Sequence, residues 1–413
     1  MKNNIPQGYK ATALGIIPQE WEVMRLGDIV SITSGESPSL YHLKAEGKYP
    51  YVKVEDLNNC EKYQESSREY SDDNNTTIKA GSIIFPKRGA SILNNKVRIA
   101  AKDIQMDSNM MAITPHTAIV DTEFLYIRIL HERLYRIADT SSIPQINNKH
   151  IIPYKIAVPP LAEQRKIAEV LGVWDEAIEK QVRLIEKLAL RKRALMQRLL
   201  SAKLRLPGFS EPWQKVKLGD IGDTYNGLSG KNKDDFEYGN AQFIPYINVF
   251  SNERIDTNNL GCVQIKPNEQ QNTVKYGDIF FTVSSETPDE VGMASVLLEH
   301  LDNTYLNSFC FGYRLNNFST LNPFFAAYLF RTEHFRNYMS VLAQGSTRFN
   351  ISKKEVMKLK IDLPTIEEQT AIAEVLTAAD REIELAKEKL ERLRRQKRGL
   401  MQQLLTGKKR VKY

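Results

Sequence analysis

The segment PKRGASILNNKVR, residues 86–98, crowds Lys87, Arg88, Asn94, Asn95 and Lys96 among small and turn-forming residues. A second segment, SSIPQINNKH at 141–150, offers Gln145, Asn147, Asn148 and Lys149. Two more lie far downstream: NGLSGKNK at 226–233, with Lys231 and Lys233, and QGSTRFNISKK at 344–354, with Ser346, Thr347, Arg348, Asn350 and Lys353. The chemistry these residue types share is the reading of DNA. Arg and Lys present donors that match guanine edges, Asn and Gln pair with adenine, and Ser, Thr and Lys hold phosphate oxygens. Loops rich in Asn, Ser and Gly are also ordinary turns, so their use depends on the elements that position them.

Patterns that would make the chain catalytic are missing. It contains no GxG, and the pairs Gly47-Lys48, Gly230-Lys231 and Gly407-Lys408 lack the Ser or Thr that completes a phosphate loop. The six histidines form no HExxH or paired metal spacing. NPFF at 322–325 resembles an amino-methyltransferase motif but lacks its second proline and an upstream cofactor loop; Pro323 is better read as the start of a helix. PDE at 288–290 lacks the downstream Glu-x-Lys of a nuclease. The expectation is a non-catalytic chain without a cofactor or metal of its own.

Composition bounds the rest. The chain has 413 residues, a net charge of +7 and 42% apolar residues, which suits two to four globular domains. No apolar run approaches the ~18–20 residues of a membrane span, and MKNNIPQGYK does not read as a signal peptide. Cys60, Cys262 and Cys310 are scattered and odd in number, which implies neither a disulfide framework nor a zinc site. A reduced, cytoplasmic compartment without membrane partners is expected.

What organises the sequence is a duplication. Shifting it by 205 positions aligns residues 159–205 with 364–410 without a gap, and 22 of the 47 pairs are identical. Glu163 and Gln164 recur as Glu368 and Gln369, and LMQ at 195–197 recurs at 400–402. Outside these segments Trp21 and LGDI at 26–29 recur as Trp213 and LGDI at 218–221, and GSIIF at 81–85 as GDIFF at 277–281. The order is module (1–158), helix (159–205), module (206–362), helix (363–413). Each module mixes short β-rich runs with helical stretches such as TEFLYIRILHERLYRIA, which predicts an α+β globule.

Each repeated segment reads as one long helix, about 60 Å at 1.5 Å per residue. Pro160 suits a helix start, Thr365 with Glu368 forms a capping-box pattern, and LPG at 206–208 would stop the first helix. Apolar residues fall on a heptad: Leu171, Trp174, Ile178, Ile185 and Leu188 in the first, and Leu376, Ile383, Leu390 and Leu393 in the second. Lys192 and Lys397 occupy seam positions, where they either fix register or snorkel outward. The first half of each helix leans acidic and the second is strongly basic. That polarity complements each helix's own macrodipole. It also favours antiparallel pairing, which sets basic against acidic along the whole length.

The modules themselves are close to neutral. Because phosphate neutralisation dominates DNA affinity, the basic helix halves or a partner must supply much of any grip on DNA.

This layout resembles the specificity subunits of type I restriction–modification systems. The likeness rests on the Trp21/Trp213 and LGDI entries, the PPLAEQRKIAEVL and LPTIEEQTAIAEVL helix starts, the LMQRLL/LMQQLL pair and GSTRFNISKKEV before the second helix. It implies two homologous target-recognition domains, pseudo-two-fold symmetric about an antiparallel coiled coil, each reading one half of a split site in double-stranded DNA. It implies two methyltransferase subunits as partners, carrying the S-adenosylmethionine, and through them restriction subunits. A coiled-coil scaffold whose modules bind protein, and a cryptic enzyme, are the readings from other classes.

Overall fold

The computed structural model describes residues 5–139, 143–236 and 238–413; Ser141 and Ser142 of the second predicted loop lie outside them. Two compact units divide the chain. One joins residues 1–182 to 388–413, and the other comprises residues 183–387. Each unit therefore contains a module together with the first half of one long helix and the second half of the other.

The modules follow one plan. In the first, a sheet runs in the order Val30–Ser34, Met110–Pro115, Ile83–Pro86, Arg98–Ala100 and Tyr63–Gln64. In the second, Gly222–Asn226, Cys310–Leu315, Ile279–Thr282 and Ala294–Val296 repeat the first four places, with antiparallel pairing throughout. The runs GSIIF and GDIFF supply the inner strand in each case, fully buried as an inner strand's continuous apolar run requires. A three-stranded sheet flanks each of these larger sheets. The entry strands Glu22–Arg25 and Gln214–Lys217 pair antiparallel with Lys155–Val158 and Lys360–Leu363, the strands that lead into the long helices. The fold is α+β in both units.

The helices span Leu161–Leu199 and Ile366–Leu405. In the first unit Ile167 and Leu171 share a core with Leu404 and Leu405, and Asp175 pairs with Lys397. In the second unit Leu199 and Leu200 share a core with Ile372 and Leu376, and Lys192 Nζ lies 2.7 Å from Asp380 Oδ1. Rising numbers on one helix meet falling numbers on the other, so the pairing inside each unit is antiparallel. Lys192 and Lys397 stay in the seam rather than snorkelling out. Burial alone would lower the Lys192 pKa, but the hydrogen bonds it donates to Asp380 and Glu253 outweigh it and hold the ammonium charged.

Several local expectations change. The first helix ends at Leu199, well before the LPG segment, because Ala202 takes a left-handed φ of 57° and Leu204 N closes back on Arg198 O at 3.0 Å. Gly407 repeats the device at φ 70°, with Lys409 N on Gln403 O. The capping box at Thr365 is half made. Glu368 N donates to Thr365 Oγ1, while the carboxylate takes a bidentate pair with Arg205 at 2.6 and 2.7 Å. A charge-assisted fork outcompetes a single backbone N–H. Of the seam residues, Leu171, Leu376 and Leu390 are buried, whereas Trp174, Ile178, Ile185, Leu188, Ile383 and Leu393 are half-buried. Trp174 thus lies outside the core clusters: a two-helix seam leaves its flanks open where no module covers them. Pro323 does begin a helix, Pro323–Leu329, capped by Asn322.

Candidate nucleic-acid interface

The repeated Glu-Gln pair fixes each module to its helix. Gln164 Nε2 donates to the carbonyls of Ile119 and Pro159 at 2.9 Å, and its Oε1 accepts from Asp121 N at 2.8 Å. Gln369 does the same with Thr320, Pro364 and Asn322 N at 2.9, 3.0 and 2.9 Å. Asp121 and Asn322 in turn cap the module helices, accepting from Phe124 N and from Phe324 and Phe325 N. Beside each glutamine a buried glutamate grips an arginine from the end of the other repeat: Glu163 with Arg410 at 2.5 and 2.9 Å, and Glu368 with Arg205. Trp21 Nε1 adds a 2.9 Å bond to Glu163, while Trp213 Nε1 finds no partner among the described residues.

On that common frame sit two corresponding edges. In the first module the chain leaving strand Ile83–Pro86 runs beside 144–146: Ile146 N donates to Lys87 O at 2.9 Å, Gly89 N donates to Pro144 O, and Arg88 bridges Gln145. Asn147 then caps a short helix beginning at Asn148. The two predicted loops therefore converge, bringing Lys87, Arg88, Gln145, Asn147, Asn148 and Lys149 to one edge. Burial and the neighbouring Arg88 guanidinium lower the Lys87 pKa. Asn94 is exposed on a separate loop. Asn95 spends its amide on Leu130 O and Leu134 N, and Lys96 bonds Asn58 Oδ1.

In the second module Ile351 N donates to Val283 O at 3.0 Å, and Ser284–Ser285 pairs with Phe349–Asn350. Where the first module has Lys87 and Arg88, this edge has Val283 and Ser284. Where the first has Asn109, whose carbonyl accepts from Lys87 N, the second has Phe309, 54% exposed, whose carbonyl accepts from Val283 N. The Arg348 guanidinium lies 5.7 Å from the centre of the Phe309 ring. Ser346 and Thr347 are exposed beside it, and Lys353 reaches Asn226 Oδ1. Burial lowers the Lys353 pKa. Lys217, Lys353, Lys354 and Lys358 line a shallow groove of about 280 Å³ close by. Lys231 is turned inward, its ammonium held by Gln264 O and Glu269, whereas Lys233 is exposed at the start of a short helical turn.

Sequence reasoning missed Phe309, Ser284 and Ser285. Only their place beside the converging loops marks them, and that depends on strand pairing distant in sequence. Among the described residues no group of three or more His, Cys, Asp or Glu side chains could hold a metal ion, and no helix is long and apolar enough to cross a membrane.

A family model described as the type I restriction modification DNA specificity domain matches residues 18–188 and again 210–395. The type I restriction enzyme MjaVIII specificity subunit of Methanocaldococcus jannaschii is 26% identical over 424 residues, which cover 96% of this chain and 94% of the relative. The MjaIX specificity subunit of the same organism is 32% identical over 197 residues, covering 44% of this chain and 45% of that one. Among solved structures, the S subunit from M. genitalium aligns over 98% of this chain and 97% of its own, with a TM-score of 0.53 at 17% identity. A chain from a structure concerned with complex assembly and conformational transition of the type I R-M system aligns over 95% of this chain and 99% of its own, with a TM-score of 0.65 at 20% identity. At these identities the structural likeness establishes the fold.

Proposed function

The chain belongs to the type I restriction modification DNA specificity family, and from that membership we propose that it reads a split site in double-stranded DNA, one half with each module. The observation that carries this reading is the pair of corresponding edges: one frame, built twice, with different side chains where the loops converge. A basic edge with Arg88, Lys87 and Gln145 suits base edges rich in acceptors. An edge with Ser284, Asn350, Arg348 and the exposed Phe309 suits mixed polar and apolar contact. The two half-sites therefore differ in sequence. Asn95 and Lys231, occupied inside the fold, are left out of the reading set.

The chain recognises and does not catalyse. Two methyltransferase subunits dock on it and bring S-adenosylmethionine, and a restriction subunit joins through them. The half-buried seam and the exposed Leu184, Leu190 and Leu385 on the helix pair offer apolar surface for such docking. The near-neutral modules fit a complex in which partners close around the DNA. A protein-binding scaffold would share the coil but would not require that the two edges differ.

The test is single-molecule sequencing of methylated adenines in a host expressing this chain with its methyltransferase. A split motif with two unlike halves and a fixed gap is expected. A contiguous motif, or none despite a stable complex, contradicts the reading. Inserting four residues in each helix lengthens it by ~6 Å and should widen the gap by about one or two base pairs at ~3.4 Å each. An unchanged gap would sink the idea that the helices set the spacing.

A further inference from the structure

The second module, residues 206–362, contains five arginines, and four of them are committed to the fold. Arg314 forks onto Asp278, and Arg254 reaches Tyr328 Oη and Thr377 Oγ1. Arg331 donates to the carbonyls of Val249, Phe250, Asn252 and Ala294. Arg336 donates to those of Asp289, Val291 and Gly292. The fifth, Arg348, is exposed, and among the described residues its guanidinium makes no hydrogen bond or ion pair. Its neighbour is the Phe309 ring, whose centre lies 5.7 Å away, within cation–π range.

Both residues stand on pinned backbone. Gln344 and Asn350 exchange two backbone hydrogen bonds, at 2.9 and 2.8 Å, which close the turn that carries Arg348. Gly345 takes a φ of 137° inside that turn. Phe309 N donates to Asn307 Oδ1 at 2.8 Å, and its carbonyl accepts from Val283 N at 2.9 Å. A single exposed aromatic is common on a protein surface. Here the ring lies against an unpaired guanidinium, so stacking restricts the plane of the fork while leaving its edge donors free.

The first module lacks this pair. Asp139 and Gln145 exchange the same two backbone bonds 205 positions earlier, so the turns correspond. Ile143, 62% exposed, stands in the place of Arg348, and Asn109 in that of Phe309. A phosphate asks only for positive charge, which Lys217 and Lys354 of the nearby groove supply. A planar fork held in one orientation instead matches the paired O6 and N7 acceptors of guanine in the major groove.

We infer that Arg348 reads one guanine in the second module's half-site, and that Phe309 is the positioning residue that holds its guanidinium for that contact. This rests on the DNA-reading function given above, and it names one base of the target and the pair that selects it.

The test uses the full chain expressed with its methyltransferase subunit, with the methylated adenines sequenced and the second half identified by replacing residues 206–362. The wild-type second half is expected to require a guanine on one strand. Arg348→Ala should raise methylation of sites lacking that guanine by about ten-fold or more relative to the wild-type target, with the first half unchanged. Arg348→Lys should relax the same position, because an ammonium cannot fork. Phe309→Ala should relax that position too, Phe309→Tyr should restore it, and the double alanine variant should be no looser than Arg348→Ala. Both side chains are exposed, so unchanged thermal melting is expected, and the Lys and Tyr variants carry the test if an alanine variant melts early. A second half without guanine, or a motif kept intact by both Arg348 variants, would overturn the proposal. Methylation lowered evenly at every site would assign Arg348 to phosphate and also overturn it. Relaxation by Phe309→Ala at a different position would overturn the positioning role. A wild-type complex with no split motif would bring down the DNA-reading function itself, a failure visible before any variant is made.

Discussion

The two modules differ least where they join the helices and most where their loops converge. Gln164 and Gln369 make the same three hydrogen bonds, and Glu163 and Glu368 grip arginines at matching positions. At the outer edges Lys87 and Arg88 face Val283 and Ser284 as counterparts, and Asn109 faces Phe309. A buried polar network tolerates little change, because each lost partner leaves a desolvated group behind. An exposed edge carries no such penalty and is free to vary. The contrast therefore separates what holds the chain together from the edges proposed to read DNA.

The largest expected effect tests the shared frame. Gln164→Ala and Gln369→Ala each strand a backbone N–H and two carbonyls, and each should cost about 2–4 kcal/mol in denaturant unfolding. Near-equal costs sharpen the equivalence, and a cost in only one module would break it. Next comes the edge. Arg88→Ala should weaken specific DNA binding by about 1–3 kcal/mol and relax selectivity in one half-site only. Ser284→Ala should leave that half untouched, as measured by binding to half-site variants at fixed salt.

The tryptophans separate the modules more finely. Trp21→Phe removes a bond to the buried Glu163 and should destabilise by about 1–2 kcal/mol. Trp213→Phe removes an unpartnered donor and should be neutral or slightly stabilising. Equal losses would mean that Trp213 has a partner in solution. The smallest effect is at the helix ends. Ala202→Gly should stabilise by about 0.5–1 kcal/mol because glycine accepts the left-handed φ. Gly407→Ala should destabilise, since its Cβ would also meet Pro18 Cδ at 2.3 Å.

The duplication, the long helices and their antiparallel pairing can be read from the repeat, the heptads and the charge polarity, all of which are local or periodic signals. The residues of the first module's edge can be named as well, because Lys87, Arg88, Gln145, Asn147, Asn148 and Lys149 are conspicuous by type, although the convergence of their two loops cannot be read. Phe309 could not, since an exposed aromatic has no sequence mark until strand pairing sets it beside Arg348. Asn95 shows the opposite ambiguity: its amide matches a base edge as well as it matches the backbone of a turn, and here it bonds Leu130 O and Leu134 N. The first helix ends earlier than its LPG segment suggests because Ala202 adopts a left-handed conformation that its side chain does not advertise.

The most direct test replaces residues 206–362 with a second copy of residues 1–158 and sequences the methylated adenines made by the resulting complex. If each module reads one half-site, both halves become the first module's sequence and the methylated target turns palindromic. An intact complex that still methylates a target with two unlike halves would contradict the account.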